Sequence, residues 1–205
     1  MAGLALALYC VSLAITFGVR VAVQLHRTGS TGIKGMPRDA TSVERLAGVL
    51  FFVSLVGGGF APLLTLLDVL DPISALDGTV GNAIGLALGL GGIVLTFGAQ
   101  LAMGDAWRIG VDPEERTELV TDGPFRIVRN PIYSAMIPTV FGLVLMVPNV
   151  LAVVVFVCLV VSIEMQVRLV EEPYLQRTHG SDYGKYAARV GRFVPGLGLL
   201  HGAAR

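Results

Sequence analysis

The chain has 205 residues, of which 54% are hydrophobic and only 15% charged, and its formal net charge is zero. A soluble domain carries roughly a quarter charged residues, so the composition points to a membrane protein, and the lack of net positive charge argues against a nucleic-acid binder. Two cysteines, Cys10 and Cys158, lie in apolar runs, and His26, His179 and His201 are far apart, so neither a disulfide framework nor a metal site is expected.

Residues 1–17 carry no charge, and Arg20, His26, Arg27, Lys34 and Arg38 follow them. A cleaved secretory leader has its positive charges in front of the apolar stretch. The reversed order predicts a retained first span with the N-terminus outside. Crossing the hydrocarbon takes about 20 helical residues, and apolar runs of that length cover 4–23, 46–67 and 81–103. In the second run Gly57, Gly58 and Gly59, followed by Pro62, predict a kink or a thin point. In the third, Gly81, Gly85 and Gly89 recur every four residues, a spacing that lets another helix come close. That face can pack within one chain or between two, so it does not settle the oligomeric state. A fourth tract, 132–163, is too long for one pass and is interrupted by Pro148-Asn149. Such a pair favours a turn, and the tract reads as a tight helical hairpin. The expected fold is therefore an all-α integral membrane protein of five transmembrane helices. Backbone polar groups must be paired internally in lipid, and the runs are too long and uniformly apolar for barrel strands.

Loop charges orient the bundle. The connection 20–45 holds Arg20, Arg27, Lys34, Arg38 and Arg45, whereas 68–80 holds Asp68, Asp71 and Asp77 with no Lys or Arg. The connection 104–130 carries Arg108, Arg116, Arg126 and Arg129, and the tail carries Arg168, Arg177, Lys185, Arg189, Arg192 and Arg205. This alternation places the C-terminus and every long polar segment in the cytoplasm, as one cap. The chain reads as a single membrane domain, 1–205, with three spans in 1–103 and the chemistry in 104–205. Short loops and the absence of a targeting peptide suggest a prokaryotic plasma membrane. No internal repeat of the transporter kind is visible.

Within the cap, Asn130-Pro131 can simply start the fourth span, and Gly123-Pro124 reads as a turn. Glu164, Arg168 and Glu171 or Glu172 fall on one helical face, by default a solvated charge ladder. Tyr183 and Tyr186, then Arg189 and Arg192, recur at three-residue spacing, which suggests a short amphipathic helix lying on the cap. Trp107 is either an interfacial anchor or part of an entry for substrate, with Arg108 beside it.

Taken together these pieces resemble the isoprenylcysteine carboxyl methyltransferase family and its phospholipid methyltransferase relatives. The residues that carry the resemblance are Gly123-Pro124-Phe125, Arg129-Asn130-Pro131-Ile132-Tyr133, Arg168-Leu169-Val170-Glu171-Glu172, Gly180-Ser181-Asp182-Tyr183-Gly184-Lys185-Tyr186 and Arg192-Phe193-Val194-Pro195, in that order. Asn130 stands where the family pattern has His, and His179 where it has Phe; asparagine can donate and accept hydrogen bonds but cannot titrate. The resemblance implies methyl transfer from S-adenosylmethionine to a hydrophobic acceptor held in the membrane: an isoprenylcysteine-like carboxylate, a lipid, or a small thiol or amine. No metal is needed, because the sulfonium is itself the leaving group. It further implies that Gly123, Arg129, Asn130, Pro131, Tyr133, Glu171, Glu172, Tyr183, Tyr186 and Arg192 line the cofactor site. Arg129, Asn130 and Arg168 would be the catalytic candidates, the two arginines as holders of a carboxylate. Either glutamate should then be replaceable by glutamine with loss of cofactor affinity but not of folding. Two other classes stay open: an NADPH-dependent membrane reductase of the sterol type, which needs a basic site for the ribose phosphate, and a non-catalytic membrane protein.

Overall fold

The computed structural model describes residues 1–35, 40–110 and 118–200, so Arg38, Arg116, His201 and Arg205 lie outside the described residues. The architecture is helical. The first helix, α1, runs Ala2–Thr28, α2 Ser42–Leu66, α3 Thr79–Ala102, α4 Pro131–Met146 and α5 Val150–Ala187. Four of these are long and apolar enough to cross a membrane, and α4 is a shorter apolar helix. The chain is thus an all-α, multi-pass membrane protein. The apolar part of α5 is Val150–Met165; beyond it the helix continues as a polar stalk.

Local chemistry explains the element boundaries. Thr41 and Glu44 form a reciprocal capping box at the start of α2, each side chain accepting a hydrogen bond from the other residue's backbone N–H. Gly29, at φ 73°, ends α1 in the left-handed conformation that glycine adopts without strain. The turn between α4 and α5 is built by Asn149. Its Oδ1 accepts from the Ala152 N–H at 2.8 Å, while its Nδ2 donates to Ala61 O and Thr65 Oγ1 of α2. One fully buried side chain therefore caps α5 and fixes the hairpin to its neighbour.

The glycines decide which helices touch. A Cβ on Gly142 of α4 would stand 2.5 Å from Gly85 O, and one on Gly92 would stand 3.0 Å from Ala135 O, so α3 and α4 approach backbone to backbone. Gly89 faces Leu8 of α1. The expected four-residue glycine face is used inside the chain at Gly85 and Gly89. In α2, Gly58 and Gly59 receive the ring of Tyr9 and Gly57 receives Val155, so the expected thin point is a docking groove. The helix runs on through Pro62.

Two π-helical segments interrupt the α-helices, Ala14–Val19 in α1 and Gln166–Glu171 in α5. Such insertions are frequent at functional sites. Here the second one changes which face of α5 the following residues occupy.

The basic connections gather at one end. Arg20 donates to Gly104 O, Gln24 donates to Asp105 O, and residues 32–34 pair with Ile109 through two backbone hydrogen bonds. At the other end the acidic connection meets the hairpin tip, the Ile73 N–H donating to Pro148 O at 2.7 Å.

Candidate functional site

At the basic end, α1, α2, the connection after α3, the start of α4 and the stalk of α5 enclose a cavity of about 440 Å³. Its walls are built by three devices.

The first is a buried ion cluster that locks the C-terminal segment onto the start of α4. Residues 128–130 run beside 191–192: the Arg129 N–H donates to Gly191 O at 2.8 Å and the Asn130 N–H to Arg192 O at 3.1 Å. The Arg129 guanidinium donates to Ala187 O, Val190 O, Gly198 O and Glu172 Oε1. Arg192 donates to both oxygens of Glu172 at 2.8 Å. Burial by itself raises the Glu172 carboxyl, but the hydrogen bonds and charges of Arg192 and Arg129 outweigh it and hold it below the usual carboxylate range. The bond to Glu172 in turn raises Arg192.

The second device is the pair Tyr133–Glu171. Tyr133, one turn into α4, donates its hydroxyl to Glu171 Oε1 at 2.8 Å, and Gln166 Nε2 lies at 3.4 Å from the same oxygen. Burial pushes the Glu171 carboxyl up, and these hydrogen bonds, with the nearby Arg108 charge, offset only part of that. Two adjacent glutamates thus have opposed electrostatics. Glu172 is neutralised twice over, whereas Glu171 lines the cavity with its charge met by hydrogen bonds from Tyr133 and Gln166 and by the nearby Arg108.

The third device is an aromatic and cationic wall. Trp107 is 3% exposed and lies under the Arg20 guanidinium, 4.4 Å from its ring centre. Arg108 sits over Tyr174 at 5.6 Å. Tyr183 and Tyr186 meet edge-on at 6.3 Å, and Tyr186 donates to Phe125 O at 2.7 Å. Burial pushes both phenols up to about 12.

Of the residues singled out from sequence, Arg129, Asn130, Pro131, Tyr133, Glu171, Glu172, Tyr183, Tyr186, Trp107 and Arg108 all line this cavity. Three do not. Gly123 opens a short turn at φ 59° outside it, and Arg192 acts from behind through Glu172. Arg168 points outward, its side chain 54% exposed and paired with Glu164. The expected ladder therefore exists only as Glu164–Arg168, because the π-segment carries Glu171 and Glu172 off that face. Both terminal nitrogens of Arg129 are committed to Glu172 and backbone carbonyls, which leaves its buried Nε without a partner. Trp107 is buried and so does not serve as an interfacial anchor. Asn130 occupies the cap position of α4 without capping it; its Nδ2 donates to Arg192 O at 3.2 Å. Lys34, Gln100, Glu118 and Gln166 also line the cavity, and sequence reasoning missed them. Gln100 had a legible signal, a polar side chain deep in an otherwise apolar run. Lys34 had none, since its place depends on a pairing between distant segments.

A second cavity lies in the apolar interior, lined chiefly by α1, α2, α4 and α5. Phe17, Phe51 and Met136 line both cavities. The polar chamber therefore adjoins an apolar one inside the bundle, with these three side chains at their common boundary.

Comparison with known proteins gives two findings. The model of the family "Phospholipid methyltransferase" matches residues 80–182, from the start of α3 through most of α5. Protein-S-isoprenylcysteine O-methyltransferase B of Arabidopsis thaliana is 33% identical over 87 residues, 42% of this chain and 44% of the relative. The chain thus spans less than half the length of that relative. The matched stretch holds Trp107, Arg129, Asn130, Tyr133, Glu171 and Glu172 but stops short of Tyr183, Tyr186 and Arg192.

Proposed function

The chain belongs to the phospholipid methyltransferase family, and from that premise we propose that it transfers the methyl group of S-adenosylmethionine to a lipophilic acceptor held in the bilayer. The observation that carries this reading is the boundary at Phe17, Phe51 and Met136, where a chamber lined by Glu171 and Arg108 adjoins an apolar chamber within the bundle. Methyl transfer to a membrane acceptor needs that junction, because a polar cationic donor and a greasy acceptor must meet in line.

The residues present suit the cofactor. S-adenosylmethionine supplies an activated methyl on a sulfonium, so the carbon–sulfur bond breaks as the bond to the acceptor's nucleophile forms, leaving a neutral thioether. Glu171 is the group suited to that cation: it is ionisable, held in one position by Tyr133, and lines the chamber. A carboxylate in a dry site acts on a nearby charge far more strongly than in water. Arg108 and Lys34 bring positive charge to the same chamber, suited to the cofactor's own carboxylate. The ion cluster of Arg129, Glu172 and Arg192 has a positioning role in this reading, and it keeps the floor of the chamber rigid and excludes water. Arg168, on the outer face, is left out of the machinery. Asn130 fits as well, since its contribution is a donated hydrogen bond and needs no titrating group.

The reductase reading loses its support at the same place. An NADPH site needs basic groups for the ribose phosphate, and of the cap arginines Arg129 and Arg192 already hold Glu172, while the family match is to methyltransferases. The deciding experiment is calorimetric titration of purified protein with S-adenosylhomocysteine and with NADPH. Saturable binding of the first alone is expected. Binding of NADPH alone, or of neither, would overturn the proposal.

A further inference from the structure

Of the hydroxyls around the inner cavity, four donate to backbone carbonyls. Tyr9 donates to Leu55 O, Thr16 to Ser12 O, Ser54 to Phe51 O and Thr139 to Ala135 O. This is the usual solution for a hydroxyl in an apolar helix, which returns its proton to a carbonyl of the preceding turn. Thr96 is the fully buried hydroxyl among them that makes no such bond. It is 1% exposed, lines the inner cavity, and its Oγ1 has no hydrogen-bond partner.

One helical turn further along α3, on the same face, stands Gln100, 5% exposed and lining the outer cavity. Its orientation is fixed. Nε2 donates to Thr16 O at 3.0 Å, a carbonyl within the π-helical segment of α1. The amide oxygen must therefore point the other way, and that Oε1 is buried without a partner. Thr96 and Gln100 straddle the boundary between the two cavities, alongside Phe17, Phe51 and Met136. A chain lying along both chambers passes the two residues that carry the orphaned atoms.

Buried polar atoms in proteins are almost always paired, and two unpaired ones a turn apart at the neck of a cavity ask for one ligand group. The chemistry of the pair says which. Gln100 Oε1 can only accept, so the ligand must present a donor. Thr96 Oγ1 carries a proton that needs an acceptor. A hydroxyl answers both. We propose that the neck binds the hydroxyl of a lipophilic alcohol, and that the acceptor of this protein accordingly carries a hydroxyl group where its apolar body enters the bundle. The identification of that lipophile as the methyl acceptor rests on the function proposed above, whereas the hydroxyl site itself does not.

The test uses the protein reconstituted in lipid nanodiscs, with the fluorescence of Trp107, the single tryptophan of the chain, as the reporter of binding. The probes are dodecan-1-ol and its methyl ether, which match in length and differ in the donated proton. The wild-type protein is expected to prefer the alcohol by about tenfold, the worth of a good buried hydrogen bond. Thr96→Val keeps the shape of the side chain and disturbs no hydrogen bond, so it should fold normally; it is expected to bring the preference to within about twofold while leaving the ether's affinity unchanged. Thr96→Ser should restore the preference. Equal affinity for the two probes in the wild type, or an undiminished preference in Thr96→Val, would overturn the proposal. Titrating the same wild-type sample with S-adenosylhomocysteine separates the two claims. Alcohol preference without that binding removes the methyltransferase reading and keeps the neck site; the converse removes the neck site alone.

Discussion

Glu171 and Glu172 are neighbours in sequence and opposites in environment, which makes them the sharpest probes of the site. Glu172 neutralises two buried arginines, and taking one partner out of such a cluster leaves uncompensated charge, at a cost of about 3–5 kcal/mol. Glu172→Gln is therefore expected to lower unfolding stability by that amount in a denaturant or thermal series, contrary to what the sequence pattern suggests for it. Glu171→Gln removes no ion pair and keeps an acceptor for Tyr133. It should leave stability within about 0.5 kcal/mol and weaken binding of S-adenosylmethionine by about five- to tenfold, with little effect on S-adenosylhomocysteine, whose sulfur is uncharged. A loss of stability in Glu171→Gln equal to that in Glu172→Gln would remove the distinction between them. The same residue sets a pH dependence. Because the Glu171 carboxyl is raised, it remains partly protonated above the ordinary carboxylate range, and the neutral form does not attract a sulfonium. Affinity for S-adenosylmethionine should rise with pH as Glu171 ionises, while that for S-adenosylhomocysteine stays flat; calorimetry from about pH 5 to about pH 8 reads the difference. Glu172 acts in the opposite sense on stability. Its lowered carboxyl contributes fully above the ordinary carboxylate range, and that contribution is lost as the pH falls through its depressed value.

The helices themselves were largely legible, and the reasons are local. Each span is one uniform apolar run, and Pro148-Asn149 marks the hairpin because proline cannot continue a helix while Asn149 caps the next one. The glycine spacing in α3 was visible too, but only the structure shows that Gly85 and Gly142 press backbone on backbone. That contact makes a prediction at the scale of the helix pair. Gly142→Ala would place a methyl 2.5 Å from Gly85 O, a backbone atom that cannot turn aside, and should destabilise by about 1–3 kcal/mol. Gly98→Ala, with nothing within 4 Å of the new Cβ, should be neutral or slightly stabilising. Equal effects in a detergent unfolding assay would show that α3 and α4 do not pack through these glycines. What the sequence concealed was the pair of π-segments. They carry no compositional mark, yet one detaches Glu171 and Glu172 from the Glu164–Arg168 face, and the other exposes the Thr16 carbonyl to Gln100. The position of Lys34 was equally hidden, because it depends on residues 32–34 pairing with Ile109 some 75 residues away, a contact no local pattern encodes.

At the scale of the whole molecule, the two ends of the bundle differ in charge and in structure, and that difference carries the topology. The connection 68–80 has three aspartates and no basic residue, and it meets the hairpin tip through the Ile73–Pro148 hydrogen bond. The opposite end collects Arg20, Arg27, Lys34, Arg108, Arg126 and Arg129 around the polar cavity. Retention of Lys and Arg on the cytoplasmic side is the strongest sequence determinant of membrane orientation. An enzyme that draws its polar cofactor from the cytosol has to open on that same side, so the charge bias and the proposed function make one demand. In a variant with Cys10 and Cys158 replaced by alanine, single cysteines placed at the exposed positions Ala75 and Asp122 test it. A membrane-impermeant maleimide added to intact cells should label Ala75→Cys alone, and Asp122→Cys should react only after permeabilisation. Labelling of both from outside would break the five-span arrangement. The reversed pattern would keep the fold but turn the polar cavity away from the cytosol, leaving the proposed reaction without its source of cofactor.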